Sequence, residues 1–346
     1  MPKGNSQSEP PVALVKAAFL QQFKTAMEDN KVAIEPYFKK LRLPLVDMYD
    51  PEALIPEKPF WHLINQVAIS EMIPDFGMQV AQITPWHRVD SIQKHINKSE
   101  SLKILLDSFC EITPSQSNVT SFALHTEDAL GWFEYSGQPL ISNDIQMELY
   151  RVTSMIELVQ LAAGKNWRPL KVRLMMDKNR VVEKNSILND CELLFSQART
   201  AIAFPAGLLN ATITLQPTDK PTHPGVNDGY KLHEIQDKSE LVNALREIIS
   251  FYITDENLSI EAIADIAGLS TRSLQRMMKK HGISYNELLN AARCQYAETK
   301  LSEPAYKISD IAYQLGYNDT AHFTRAFKRW TGMTPTEYRK SASTKP

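Results

Sequence analysis

The chain has 346 residues, 43% of them apolar and 23% charged, and a formal net charge of -2, which is more than one hydrophobic core usually serves and points to two domains. None of its 12 glycines stands in a G-x-G-x-x-G or G-K-[ST] setting, and no G-x-S-x-G elbow or H-E-x-x-H spacing occurs, so the common nucleotide-binding, hydrolase and zinc-protease motifs are excluded. Cys110, Cys191 and Cys294 are too scattered for a disulfide framework or a C-x-x-C site and suit a reducing cytoplasm, and no apolar run approaches a membrane span.

In chain order, MPKGNSQSEPP is polar, lacks the apolar centre of a signal peptide and is read as a loose tail. From residue 11 to about 165 the apolar spacing predicts mainly helix, in LVKAAFLQQFKTAM, FWHLINQVAISEMI and MELYRVTSMIELVQLAAG. The texture then changes to short strand-like runs, KVRLMM and CELLFSQARTAIAFPAGLLNATI. An α+β domain over 11–215, mostly helical with a small sheet, is expected. QPTDKPTHPGVNDG, from Gln216, crowds proline and glycine together and predicts an interdomain linker over 216–235.

The remainder, 236–341, predicts an all-α domain of short helices. Ser259 reads as a cap, Ser284 with Glu287 as a capping box, and Thr334, Pro335 and Glu337 as a second one. Pro304 marks where the helix after Ser284 must have stopped. From Glu240 onward the chain carries 14 Lys and Arg against 12 Asp and Glu, so the basic excess lies at this end.

IADIAGLSTRSLQRMMKKHGISYNEL, from Ile263, aligns with IAYQLGYNDTAHFTRAFKRWTGMTPTEY, from Ile311, with an offset that grows from 48 to 50. Each copy has a short helix, a turn with glycine and a second helix with a basic stripe, the pattern of a helix-turn-helix. In the first copy Leu274, Met277 and Met278 form the apolar stripe, while Arg272, Gln275, Arg276 and Lys279 form a polar one without an acid. Arg272, Gln275 and Arg276 lie early, where such a helix meets base edges, and Lys279 and Lys280 lie late, near phosphate. Phe323, Ala326, Phe327 and Trp330 are assigned to packing in the second copy. SYNELLNAARCQYAETKLS predicts a single linker helix between the modules, which on successive major-groove faces would cover about 20 base pairs of double-stranded DNA.

With those residues in view, 240–341 resembles the paired helix-turn-helix domain of the AraC/XylS family of bacterial transcription regulators, and GYNDTAHFTRAFKRWTGMTPTEYR is similar to that family's signature. The resemblance implies base contacts by Arg272, Gln275 and Arg276 in the first module and by Thr320, Ala321, His322, Thr324 and Arg325 in the second. Lys328 and Arg329 then take the phosphate places that Lys279 and Lys280 hold in the first. Ala321 offers only a methyl contact to thymine, so the first module is expected to specify more sequence.

Residues 140–210, with GKNWRPLKVRL, resemble the arabinose-binding-type domain of the ornithine-utilisation-regulator subgroup. This implies effector sensing, self-association or both. The partners implied are DNA, RNA polymerase, a small-molecule effector and a second copy of the chain, in the cytoplasm, with no membrane, cofactor or metal. Trp61, His62, Trp86, His87, Trp132 and Trp167 are the candidates for an effector pocket, each weighed against ordinary packing. An architectural DNA binder whose first domain only assembles is the alternative. An enzyme fused to a DNA-binding module is a third reading, disfavoured because no cysteine has the Pro-Cys setting of the methyl-accepting repair regulators.

Overall fold

The computed structural model describes residues 12–16, 19–40, 54–83, 85–88, 99–137, 144–213, 238–254 and 258–342. The opening tail and the proline- and glycine-rich segment at 216–229 lie outside the described residues. Two compact units emerge, one within Ala13–Glu234 and the other within Ile235–Pro346.

The first unit is α+β. Strands β1 (Leu14–Lys16) and β2 (Leu54–Pro56) pair antiparallel, with Leu14 opposite Pro56. Helices α1 (Leu20–Asp29), α2 (Ile34–Lys40), α3 (Glu57–Ser70), α4 (Phe76–Ile83) and α5 (Leu102–Ile112) precede the main sheet, and α6 (Ile145–Ala163) interrupts it. The sheet holds β3 (Phe122–Glu127), β4 (Leu130–Tyr135), β5 (Lys171–Arg173), β6 (Glu192–Leu194) and β7 (Ala201–Pro205), with the short helix α7 (Arg180–Glu183) between β5 and β6. Its order is β3-β4-β7-β5-β6, and only β5 and β6 run parallel.

Two local expectations are corrected. LVKAAFLQQFKTAM is not one helix, because the Leu14 amide donates to Asn118 Oδ1 at 2.8 Å and the Lys16 amide to the Gln116 carbonyl at 3.1 Å. Long-range pairing overrides the local period there. The stretch up to 165 also contains a hairpin, β3–β4, closed by Asp128 and Ala129 with Asp128 at φ 54°, a left-handed position that aspartate tolerates.

Helix α6 organises this unit. It packs against α3, α4, α5 and β7, so 14 of its 19 residues are buried, as expected of a helix enclosed on every side. Asp144 caps it by accepting from the Met147 amide at 3.0 Å. The close approach of α4 is possible because Gly77 lacks a side chain: a Cβ there would stand 2.1 Å from the Gln146 carbonyl oxygen. Enclosure also buries the charged pair Glu148 and Arg151, which must satisfy each other. Arg151 Nη1 lies 2.7 Å from Glu148 Oε1, and Thr200 Oγ1 donates to both Glu148 oxygens at 2.9 and 2.7 Å.

The second unit is all-α: α8 (Lys238–Phe251), α9 (Ile260–Ile266), α10 (Thr271–His281), α11 (Tyr285–Ser302), α12 (Ile308–Gln314), α13 (Thr320–Thr331) and α14 (Pro335–Ala342). Ser259 caps α9 by accepting from the Ala262 amide at 3.2 Å. Thr334 and Glu337 form the reciprocal box, with Glu337 Oε2 accepting from the Thr334 amide at 2.8 Å and Thr334 Oγ1 from the Glu337 amide at 3.3 Å. The box expected at Ser284 is not formed, since its side chain makes no cap hydrogen bond. Helix α11 is the single linker helix, ends at Ser302 before Pro304, and packs against α8, α12, α13 and α14.

Replacing Arg151 alone strands a buried carboxylate. Arg151→Met is expected to lower the unfolding free energy of the first unit by about 3–5 kcal/mol, with Arg151→Met/Glu148→Gln recovering most of it. Urea denaturation of both variants checks this, and a double variant as unstable as the single one would remove the pair from its organising role.

Candidate nucleic-acid interface and N-terminal cavity

The two repeats fold alike. In the first, the Gly268 amide donates to the Asp265 carbonyl at 3.0 Å and the Leu269 amide to the Ala264 carbonyl at 2.8 Å. In the second, the Gly316 amide donates to the Tyr313 carbonyl at 2.9 Å and the Tyr317 amide to the Ala312 carbonyl at 3.0 Å. Both glycines are left-handed, at φ 74° and 77°, which is why that place takes no side chain cheaply. The turns hold Ile263 and Ile311, Ala264 and Ala312, Leu274 and Phe323, Met277 and Ala326, and Met278 and Phe327 as matched pairs of buried residues. Trp330 is only half-buried.

That packing decides which side of each second helix faces water. On α10, Arg272, Gln275, Arg276, Lys279 and Lys280 are all exposed. Ser270 caps the helix, accepting from the Ser273 amide at 3.1 Å, and Lys279, Lys280 and His281 occupy its last turn, where positive charge complements the helix dipole. On α13, Thr320, Ala321, His322, Arg325, Lys328 and Arg329 are exposed and Thr324 is half-buried.

The second module differs chemically at its start. Asp319 caps α13 by accepting from the His322 amide at 2.6 Å, a bond that holds its carboxyl below the usual range. His322 Nε2 lies 3.5 Å from the same carboxylate, and the Thr324 hydroxyl donates to the Thr320 carbonyl at 2.7 Å. Two of the five base-contact candidates here are therefore already engaged within their own helix. Arg293 of α11 stands over Tyr317, 5.5 Å from its ring centre, behind the second turn.

In the first unit a cavity of about 80 Å³, taken over the positions open to the centre of a water molecule, lies among β1, α3, α5, β3, β4 and α6. About 10–15 Å³ on this scale holds one water, so the space admits a small organic molecule. Trp61 and Trp86 line it. The other four pocket candidates do not. His62 is exposed on α3, His87 is buried outside the wall, Trp132 packs on Ala201 and Ala203 beneath Arg173, and Trp167 is half-buried against Phe204.

The wall also holds Glu57, Tyr135, Tyr150 and Arg151, which patterning did not single out. Glu57 accepts from the Trp61 indole at 3.0 Å and the Ser117 hydroxyl at 3.2 Å, and burial pushes its carboxyl above the usual range. Tyr150 accepts from the Trp86 indole at 2.8 Å and donates to Gln22 at 2.9 Å. The three cysteine thiols are all half-buried and pushed up to about 11, chiefly by burial, so they stay protonated at neutral pH. Among the described residues no three potential metal ligands gather, and no helix is long and apolar enough to cross a membrane.

Two helix-turn-helix modules joined by one helix, together with a separate α+β unit, define a two-domain helix-turn-helix protein. The family model for the helix-turn-helix domain matches 263–341. That for the arabinose-binding domain of AraC transcription regulators matches 32–213, more than half of the chain. The chain therefore belongs to the AraC-type transcription regulators, a family of regulators and not of enzymes. It is 38% identical over 81 residues to the HTH-type transcriptional regulator VirS of Mycobacterium tuberculosis, covering 23% of this chain and 24% of that one. Over 72 residues it is 38% identical to the ornithine utilization regulator of Pseudomonas aeruginosa, covering 21% of each. The matched parts are thus less than a quarter of either relative. Among solved structures, the transcriptional regulator CdpR from Pseudomonas aeruginosa aligns over 93% of this chain and 98% of its own, with 16% identity and a TM-score of 0.39.

The buried acid beside the cavity gives a pH signature. Below about pH 4.3 Glu57 carries its proton in both folded and unfolded chains, so its contribution to stability is fully present. As pH rises, the unfolded chain releases that proton first and the contribution is lost through the folded value. Asp144 and Glu148 are shifted the same way, again first by burial, so the comparison must be made against a variant. Glu57→Gln is expected to flatten the fall of stability as pH rises above the ordinary carboxylate range. Thermal melts at a series of pH values upward from about 4.3 check it, and an unchanged slope would mean that Glu57 is ionised without penalty.

Proposed function

We propose that this chain is a sequence-specific DNA-binding transcription regulator that reads two successive major-groove faces with α10 and α13 and answers to a small-molecule effector held in the cavity of its first domain. The observation that carries the reading is the paired exposure of basic stripes behind two turns with the same hydrogen bonds. Helix α11, with 18 residues, spans about 27 Å, which suits modules placed on grooves about 34 Å apart. In this reading the domains run over 11–215 and 236–341 with a linker between them. The effector is suggested by the cavity together with the arabinose-binding-type domain match. RNA polymerase and a second copy of the chain complete the proposed partners, and the cytoplasm is the proposed location.

The first module carries most of the base reading. Arg272, Gln275 and Arg276 present two guanidinium forks and one amide, which pair with guanine and adenine edges respectively. The second module offers Ala321, a His322 close to Asp319 and a back-bonded Thr324, and so supplies register and affinity more than discrimination.

Footprinting of the full chain on fragments selected from a random library tests the whole reading. Protection of about 20 base pairs is expected, and no protected site on any fragment would end it. Arg276→Ala is expected to cost about 1–3 kcal/mol on the selected site and to relax preference at one base pair. An equal loss on every sequence would assign Arg276 to phosphate instead. Lys279→Ala should weaken binding on all sequences and reduce the salt slope by about one, and an unaltered slope would take Lys279 out of the phosphate contacts. For the effector, a thermal-shift screen of the full chain against a broad metabolite set is expected to give at least one saturable stabilisation. None across the set would favour a regulator whose first domain only assembles.

A further inference from the structure

Among the described residues the cavity wall carries one acid, Glu57, and one cation, Arg151. Arg151 is the cation in its wall, and it is already engaged: Glu148 holds it at 2.7 Å and its guanidinium lies 3.7 Å over the Tyr135 ring. Glu57, in the same wall, has only neutral donors, Trp61 and Ser117. Asp144, buried at the start of α6, adds a further acid close by. Lys16 follows the lining residue Val15 on β1, and successive strand side chains leave opposite faces, so its Cβ points away from the cavity. Arg151 is thus bonded to Glu148, which stands behind the wall, and acts on Glu57 only through space, while the hydrogen bonds of Glu57 come from neutral donors.

The rest of the wall is largely aromatic, with Trp61, Trp86, Phe109, Phe122, Tyr135 and Tyr150 contributing rings. The polar tips of Trp61, Trp86 and Tyr150 are occupied by one another and by Glu57 and Gln22, and that of Tyr135 by Thr120, which leaves π surface for a ligand. Aromatic faces attract cations and repel anions through their quadrupole. Arg151 over Tyr135 shows the wall already using that attraction once. An anion would meet ring faces, a carboxylate and an arginine whose charge is spent. A weakly hydrated cation would meet ring faces and the wall carboxylate, with the Arg151 guanidinium already taken up by Glu148 and Tyr135.

Resting on the reading that this domain senses a small molecule, we propose that the cavity takes a small organic cation, an alkylammonium or quaternary ammonium compound, with Glu57 as its counter-charge and the surrounding rings as its cage. Burial, which disfavours the bare Glu57 carboxylate, is offset when such a ligand enters.

The test uses three compounds of one shape on the full chain: choline, its neutral carbon isostere dimethylbutanol, and the anion dimethylbutanoate, with binding read by calorimetry and tryptophan emission. Choline is expected to bind at least about tenfold more tightly than the other two. Glu57→Gln should bring choline and the alcohol to within about threefold of each other, and Trp86→Leu should weaken choline about tenfold while changing the alcohol less. Cooperative melting of each variant verifies that the fold is kept. Equal binding of the three shapes, preference for the anion, or no binding of choline, tetramethylammonium and butylammonium at millimolar concentration overturns the inference. If the metabolite screen instead yields a saturable ligand that is not a cation, the sensing reading stands and this inference falls. If neither the screen nor the ammonium series yields a ligand, both fall.

Discussion

A helix enclosed along most of its length cannot leave a buried charge uncompensated, and α6 buries two. Its core contacts with α3, α4, α5 and β7 require burial of the turn that holds Glu148 and Arg151. An isolated ion there would cost several kcal/mol, far more than one ordinary packing contact returns. The pair therefore closes on itself and recruits Thr200 from the edge of β7, which ties the helix to the sheet. Arg151 is thereby aimed over Tyr135 on β4, while Glu57 on α3 takes its hydrogen bonds from Trp61 and Ser117. The cavity between them follows from this allocation. It is lined by groups whose hydrogen bonds are directed at one another, and its acid, Glu57, is held by neutral donors while the guanidinium is taken up by Glu148.

The second unit obeys a different constraint, imposed by backbone and not by charge. Each module needs its chain to turn within a few residues between two short helices, and the left-handed residues Gly268 and Gly316 allow this while Leu269 and Tyr317 close the same amide-to-carbonyl bonds. Once the turn is set, the apolar stripe of the second helix has one place to go. The buried residues match pair by pair although their volumes do not: Met277 in one module is Ala326 in the other, and Leu274 is Phe323. The aromatic pair in the second module compensates for the small alanine, so the same geometry is reached by two packings. What stays constant is the outward direction of the polar stripe.

These two constraints explain why the two halves were unequally legible. The helix-turn-helix repeat could be read from spacing because its rules are local: a cap, a 3.6-residue period, a glycine at the turn and a basic face, twice over. Even there, the reciprocal box at Thr334 and Glu337 formed while Ser284 made no cap bond. In the first unit the strand at Leu14–Lys16 depends on partners about 40 and 100 residues away, and no local period encodes them. The cavity was legible only through its largest residues. Trp61 and Trp86 could be suspected for their size, whereas Glu57 and Arg151 owe their position to burial that patterning does not register. One signal was present: Glu148 and Arg151 stand among the apolar residues Met147, Leu149, Tyr150 and Val152, and a charge in such a place asks for a partner.

The arrangement also bears on how a ligand could act on DNA binding. An effector changes affinity at a second site only by binding two states of the protein unequally, and the coupling is the same in both directions. Filling a cavity bounded by α3, α6 and the β4 strand acts on the groups that organise the first unit, because Arg151 belongs both to its wall and to the pair that anchors α6. A ligand charge placed beside Glu57 therefore changes the field at Arg151, at Glu148 and, through Thr200, at the sheet. No change in recognition chemistry on α10 or α13 is needed. Their stripes are fixed by their own turns, so under the proposed function regulation by an effector would act on how often the two helices are presented together, and the sequence preference proposed for Arg272, Gln275 and Arg276 would be unchanged.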